Sequence, residues 1–424
     1  MEGYLRRIVD LELDELLPGL PAIALEGPKG VGKTITAMRR ARTVHRLDDP
    51  VDMSVLLATP RRIIAGEYPI LVDEWQRYPP SWDLVRRAVD DGRRGGMFLL
   101  TGSMAPLEQP THSGAGRIVT MRMRPLGLSE RGIVAPTVSL AELLTGAQPD
   151  VGGRSPLDVV DYAEEIVAPG FPGLRAGTGR IRRLGLDGYL DRIVERDFAE
   201  QGRHLRDPDG LRRWLTAYAA ATATTATFET IRDAATAADG QTPARSTTID
   251  YRRVLEQLWI LDPLPAWLPT FNRIARVAAP PKHHLADPAL AARLLAADAA
   301  ALVEPKPLGP AVFRDGPLLG RLFESLVVLG VRVAAQAAEA RAHHLRTRAG
   351  NHEIDLVVAR ADQRVVAIEV KLGALVDDRD VRHLHWLAGQ LGPDLLDMVI
   401  VTTGPEAYRR RDGVAVVPAA LLGP

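Results

Sequence analysis

The sequence predicts a multidomain α/β protein with a parallel, helix-flanked sheet at the front, a helical middle and a second α/β unit at the C-terminus. Three observations predict it. An apolar segment, Ile23 to Leu25, runs into a glycine turn and then a helix-like stretch with Ile35, Met38 and Ala41 at helical spacing. Two short apolar runs follow, at 70–72 and 97–100, and each ends in polar residues, the pattern of buried parallel strands. Far downstream, "HEIDLVVARADQRVVAIEVKLG" (352–373) reads as two strands joined by a polar turn near Ala361-Asp362-Gln363.

The bulk numbers bound the rest. A length of 424 residues suits two to four domains, and 46% hydrophobic with 25% charged residues is ordinary for a globular protein. The formal net charge is zero, so any basic surface must be local. Without cysteine there are no disulfides and no thiolate metal ligands. No apolar run approaches the roughly 18 residues of a membrane span. The first twenty residues are charged and amphipathic, without the apolar core of a signal peptide. A cytoplasmic protein with no membrane partner is expected. The chain has five lysines against forty-eight arginines, so each retained lysine is informative.

The front of the chain carries phosphate chemistry. Gly27-Pro28-Lys29-Gly30-Val31-Gly32-Lys33-Thr34 has the P-loop spacing in the strand–loop–helix setting that motif needs. Its backbone N–H groups can curl around phosphates at a helix N-terminus. Lys33 would reach the β- and γ-phosphates as a compact point charge, and the Thr34 hydroxyl would ligate Mg²⁺. The cofactors expected are ATP and Mg²⁺. The next apolar run ends in Asp73-Glu74, and ligands of such sheets bind at the carboxyl ends of strands. Asp73 is placed to hold Mg²⁺ through water and Glu74 to orient the attacking water. The run after that ends in Thr101 and Ser103, either of which could sense the γ-phosphate.

At this point the chain resembles a family. VDEWQ, LLTGS and "GAGRIVTMRMRPLGLSE" (114–130) are similar to the bacterial and archaeal AAA+-type ATPases (AAA_14) that carry a C-terminal region of the DUF4143 type. The resemblance covers nearly the whole chain, more loosely over 140–210. It implies a P-loop domain followed by a winged-helix segment and a nuclease-like domain. Arg117 and Arg124 match positions where that family often has basic residues, so either is a candidate arginine finger or nucleotide sensor, beside the reading as a surface or capping arginine. A homo-oligomer is compatible with this. The expected division is 1–135 for the ATPase, 136–207 for a helical connector, 208–305 for the winged-helix-like domain and 306–424 for the C-terminal domain.

The connector shows a Pro/Gly turn at 168–175 and a helical stripe of apolar residues at 184, 186, 190, 193, 194 and 198. Residues 208–280 read as two helices, a turn, a third helix starting near Thr247, and an extended segment. Three helices followed by a short hairpin is a winged helix-turn-helix pattern. Arg245, Arg252 and Arg253 lie around its third helix. They could contact DNA phosphates or be ordinary solvated charges, and the same fold often mediates protein contacts.

In the C-terminal strand pair, alternation puts Glu369 and Lys371 on one face, with Ile368, Val370 and Leu372 on the other. Asp355 can lie across from them. Such converging carboxylates suit Mg²⁺ or Mn²⁺, and the lysine could stabilise charge on a phosphorane. Asp-x13-Glu-x-Lys is similar to the PD-(D/E)XK nuclease core, and Glu324 matches that fold's extra acidic position. The proline of that motif is absent, since Ile354 precedes Asp355. His343, His344 and His352 are nearby, but adjacent strand residues point to opposite faces. A later helix (about 378–391) and strands at 397–403 and 413–418 complete the order expected of that fold.

Two functions fit the sequence. One is an Mg-ATP-hydrolysing ATPase coupled to DNA binding or processing through winged-helix and nuclease-like domains. The other is a nucleotide-switched regulatory protein whose nuclease-like domain recognises a partner and cuts nothing.

Overall fold

The computed structural model describes residues 3–103, 114–198, 207–236, 240–268, 279–303, 316–347 and 350–424. The front sheet contains β1 (Ala22–Glu26), β2 (Thr43–Arg46), β3 (Ile70–Asp73), β4 (Phe98–Gly102) and β5 (Ile118–Arg122), in the spatial order β2-β3-β4-β1-β5. Every pairing is parallel. β3 and β4 are buried along their whole length, which is why they read as unbroken apolar runs. Helices Lys33–Met38, Pro50–Ala58 and Pro80–Gly92 alternate with the strands. Pro50 sits at the start of its helix, behind an Asp49 carboxylate that accepts from the Val51 and Asp52 amides. Because β4 lies between β1 and β3, Thr101 stands opposite both Leu25 and Asp73. The polar strand ends therefore meet at one edge of the sheet.

The middle is helical. Helix Gly179–Arg192 continues into a π-turn, Ile193–Asp197. Leu186, Leu190, Ile193, Val194 and Phe198 of the expected stripe are buried, whereas Leu184 is 58% exposed. Two positions from Leu186 is about 200° around a helix, so Leu184 faces away from the stripe. Helices Pro208–Ala220, Phe228–Ala234 and Arg245–Gln257 follow. After them, two extended segments pair antiparallel, Leu261 with Leu285 and Leu264 with Lys282. The tip of the expected hairpin, 269–278, and the expected boundary at 305–306 lie outside the described residues.

The C-terminal sheet is mixed. Its strands β7 (Arg341–Arg346), β8 (Glu353–Ala359), β9 (Val365–Lys371), β10 (Leu395–Thr402), β11 (Tyr408–Arg409) and β12 (Ala415–Pro418) run in the order β11-β12-β10-β9-β8-β7. β7, β8 and β9 form an antiparallel meander, and β9, β10 and β12 pair parallel. Helix Gly316–Ala337 and helix Arg382–Leu391 both pack on this sheet. Leu356, Val358, Val366 and Ile368 join one apolar cluster, and Val357, Ala359, Val365 and Ala367 join another. That is the period-two alternation of a sheet covered on both faces.

The first of these clusters takes side chains from Val9 through Leu422, so front, middle and back share packing. Residues Leu422–Gly423 (β13) pair parallel with Val138–Ser139 (β6). Among the described residues no helix is long and apolar enough to cross a membrane.

Candidate functional site

The glycine turn between β1 and helix Lys33–Met38 is built for close approach. A Cβ on Gly27 would meet the Met123 carbonyl oxygen at 2.1 Å. Gly32 caps the helix at φ +102, a left-handed conformation that suits glycine. Lys33 is buried, and its ammonium donates to the carbonyls of Gly27 at 2.7 Å and Pro28 at 2.8 Å. Burial pushes its pKa down to about 8, while the Glu74 and Asp73 carboxylates pull the other way. A phosphate placed against this ammonium would favour its charged form further.

The acidic strand end sits beside it. Thr34 donates its hydroxyl to Asp73 Oδ1 at 2.7 Å, and Thr101 donates to the same oxygen. Burial raises the Asp73 pKa, and the two hydroxyls oppose that rise. Thr101 thus orients Asp73, a more specific contact than the phosphate-sensing role expected for it. Glu74 adopts a left-handed φ of 53, unusual for a residue with a side chain. Its carboxylate accepts from Ser103 Oγ at 2.9 Å and from the Gln76 amide. A hydroxyl and a carboxylate in contact form the hard-oxygen donor set that Mg²⁺ takes at nucleotide phosphates, so these residues fit the metal.

Two cavities border the turn. One, of about 480 Å³, is lined by Tyr4, Gly32, Ile35, Thr36, Met123 and Arg175 among others. Ile35, expected on the helix face with Met38, is half exposed here. The other, of about 440 Å³, lies on the side of Lys29, Gly30 and Tyr189. There Lys29 Nζ lies 2.6 Å from Asp197 Oδ1, and the Tyr189 hydroxyl donates to the Lys29 carbonyl at 3.1 Å. The π-turn at 193–197 positions Asp197 for this contact, and no sequence motif marked it.

Two expected arginines stand elsewhere. Arg117 precedes β5, whose first residue pairs with Ala22 at the start of β1, whereas the glycine turn follows the other end of β1. Strand rise of roughly 3.3 Å per residue puts the Arg117 backbone on the order of 15 Å from the turn. Its Nε lies 2.9 Å from Asp90. Arg124 is a structural partner: its Nε donates to Asp262 Oδ2 at 2.9 Å. Arg122 and Arg332 each reach Asp262 Oδ1 at 2.8 Å. Buried Asp262 thereby ties the end of the front sheet to the middle segment and to helix Gly316–Ala337. Burial opposes its charge, but the three guanidinium groups hold its pKa far below the ordinary carboxylate range.

In the middle, Arg245 and Arg253 are exposed and Arg252 is partly so. Arg245 lies 3.5 Å from Glu229 and Arg252 3.8 Å from Glu256. With Arg232 and Phe228, Arg245 and Arg252 line a groove of about 270 Å³.

The C-terminal residues do converge. Asp355 is one register step from the Leu356–Ile368 pair, which sets it across from Glu369, and the two carboxyls share a hydrogen bond. Lys371 Nζ lies 3.9 Å from Glu369. The centre, however, is filled from another element. Lys282 Nζ lies 2.8 Å from Glu324, 3.0 Å from Asp355 and 3.3 Å from Glu353. Burial raises the pKa of Glu369 well above its usual value, and Asp355 adds to the rise. Asp355 itself is lowered: burial pushes up, and Lys282 and its hydrogen bonds outweigh it. Among the described residues no group of three or more His, Asp or Glu side chains is arranged to hold a metal ion. Asp355, Glu369 and Glu324 were expected to hold a metal; the ammonium of Lys282 stands 2.8 Å from Glu324 and 3.0 Å from Asp355. Of the histidines, His344 is buried with Nε2 3.1 Å from the Pro280 carbonyl, and His352 stacks on Trp386.

Comparison with known proteins agrees with the front of this picture. Residues 20–131 match the family model described as AAA domain. Residues 159–301 and 319–422 match two models described as domains of unknown function, DUF8612 and DUF4143. The uncharacterized proteins Rv2008c of Mycobacterium tuberculosis and Mb2031c of Mycobacterium bovis are each 25% identical over 424 residues, covering 98% of this chain and 83% of theirs. Among solved structures, a Thermotoga maritima RuvB mutant aligns at 18% identity over 61% of this chain and 88% of its own, with a TM-score of 0.25. The Drosophila ORC bound to DNA aligns at 13% identity over 65% and 90%, with a TM-score of 0.21. The stretch that carries the glycine turn and the parallel sheet, residues 20–131, is thus the part of the chain that is similar to AAA domains.

Proposed function

We infer that the chain is an Mg²⁺-dependent ATPase whose turnover changes how its middle and C-terminal parts engage DNA. One observation carries the ATPase reading: Thr34 and Thr101 converge on Asp73, beside Glu74 and above the buried Lys33. Lys33 and the backbone N–H groups of the turn bind the β- and γ-phosphates. Thr34 and Asp73 would hold Mg²⁺, which when bound offsets phosphate charge. Glu74, held by Ser103 and Gln76, orients water and takes its proton as the new P–O bond forms and the bond to the departing ADP breaks. The cavity lined by Tyr4, Ile35 and Thr36 has the place and apolar lining for the base.

The DNA part is supported by the exposed arginines on helix Arg245–Gln257, which stand out on a chain of zero net charge. The test is ATP hydrolysis by the full chain with and without DNA. Wild type is expected to turn over in Mg²⁺ and respond to DNA, and Lys33→Ala is expected to lose tight ATP binding. Hydrolysis unchanged in Lys33→Ala would overturn the ATP site. Hydrolysis indifferent to DNA, with no DNA retained, would overturn the coupling.

A further inference from the structure

Lys282 belongs to no motif, yet it is 1% exposed and meets three carboxylates. Those carboxylates come from two elements, Glu324 from helix Gly316–Ala337 and Glu353 and Asp355 from β8. Lys282 comes from a third, the extended segment after the middle helices. Its backbone is fixed there: the Lys282 amide donates to the Leu264 carbonyl at 2.9 Å, and the Leu264 amide donates back at 2.8 Å. The neighbours are clamped as well. The His283 amide donates to the Thr224 carbonyl and the Ala223 amide to the His283 carbonyl, both at 2.8 Å. His284 Nδ1 lies 3.2 Å from the hydroxyl of Ser325, next to Glu324.

We propose that Lys282 is the resident cation of this cluster: it locks the C-terminal unit to the middle segment and stands where a catalytic divalent metal would be held. Mg²⁺ takes its oxygens at roughly 2.0–2.1 Å and keeps several waters. Lys282 Nζ sits 2.8 Å from Glu324 and 3.0 Å from Asp355, two of the three expected ligands, in the space that those waters and the ion would need. A doubly charged ion there would also face a fixed positive charge across a short distance of low dielectric. Nor can Lys282 serve as the catalytic lysine of such a site. It is 1% exposed, whereas Lys371, the more exposed lysine, lies 3.9 Å from Glu369. Breaking a buried set of paired charges by removing one partner is strongly destabilising, which makes Lys282 a fastener between the two parts.

The experiment is Mn²⁺ binding to the full chain without nucleotide, read by electron paramagnetic resonance, with DNA nicking assayed in the same Mn²⁺. Wild type, Asp355→Asn and Glu369→Gln are expected to bind the same number of Mn²⁺ ions, and wild type is expected to nick no faster than Lys371→Ala. A Mn²⁺ ion present in wild type and lost in Asp355→Asn or Glu369→Gln would overturn the proposal, as would nicking abolished by Lys371→Ala. Lys282→Met is expected to lower the melting temperature in chelator and to recover part of the loss when Mn²⁺ is added. A melting temperature unchanged by Lys282→Met would overturn the fastening role. Where Lys282→Met does not fold, the wild-type comparison with Glu369→Gln still decides the metal question. ATP turnover is read separately, so failure of the ATPase reading would leave this result intact.

Discussion

The Lys29 ammonium lies 2.6 Å from the Asp197 carboxylate, which ties the tip of the phosphate-binding turn to the end of a helix 168 residues downstream. Lys29 is partly exposed, so solvent screens the pair and its share of stability is small. Its consequence is positional. Asp197→Asn is expected to raise KM for ATP about fivefold, the equivalent of about 1 kcal/mol, with kcat little changed. Lys29→Met should give a similar change and the double variant no more than either, since both break the same pair. Additive effects in steady-state kinetics would show that the two residues act separately.

Glu74 combines a left-handed backbone with a carboxylate gripped by Ser103 and Gln76. Glu74→Gln is expected to lower the hydrolysis rate by roughly 10²–10⁴-fold, the range for a positioned general base, while ATP still binds. Ser103→Ala should cost less, on the order of tenfold, because the carboxylate stays and only its aim is lost. Single-turnover hydrolysis beside a binding titration separates the two effects. Ordinary rates in Glu74→Gln would remove that residue from the chemistry.

Asp262 holds three arginines from two other parts of the chain. Asp262→Ala is expected to destabilise by about 3–5 kcal/mol, the penalty for leaving buried partners unpaired. Urea denaturation gives the value directly. A loss under about 1 kcal/mol would mean that water or another anion replaces the carboxylate.

The buried histidines set an acid limit. Burial lowers His344 to about 4, and His284 falls well below its ordinary value for the same reason. Both stay neutral in the fold, while in the unfolded chain they take up protons near pH 6.5. Their stabilising contribution is therefore complete above about pH 6.5 and is lost as pH falls towards the folded value of about 4. His344 alone accounts for ~3 kcal/mol across that window. Asp262, held low, adds its own loss only below about pH 4. His344→Gln should make melting temperature fall less, from pH 6.5 downwards, than it does in wild type.

If helix Arg245–Gln257 meets DNA, replacing Arg245, Arg252 and Arg253 with Ala weakens binding to all sequences alike. The slope of log affinity against log salt should shrink by about 0.9 for each phosphate that is no longer neutralised. Glu229 and Glu256 stand 3.5 and 3.8 Å from two of these arginines, so binding there would exchange those carboxylates for phosphates. An unchanged slope would place DNA on another surface.

How much of this was legible depended on distance along the chain. The glycine turn, Asp73-Glu74 and the Asp355–Glu369–Lys371 face lie on contiguous segments, where periodicity and spacing are enough to read them. The short parallel strands were legible because burial on both faces makes them unbroken apolar runs. Lys282 was not, since it enters the cluster from 73 residues before Asp355. A signal for it existed all the same: it is one of only five lysines among forty-eight arginines, and the reasoning that singled out Lys33 and Lys371 applies to it equally. Arg124 was misplaced because its partner, Asp262, lies 138 residues away. Nothing in the sequence distinguishes an arginine aimed at phosphate from one aimed at a distant carboxylate.

The short pairing of Leu422–Gly423 with Val138–Ser139 constrains the order in which the molecule assembles. Every strand of the front sheet lies within residues 22–122. Val138–Ser139 must wait for strand residues nearly three hundred positions later. Tyr162, whose hydroxyl accepts from the Ala420 amide, waits with it. Until then the middle is an open half-core, and the apolar face that the front sheet shares with it stays uncovered. Such long-range closure is slow, and it leaves residues 420–423 to seal the packing around residues 138–167.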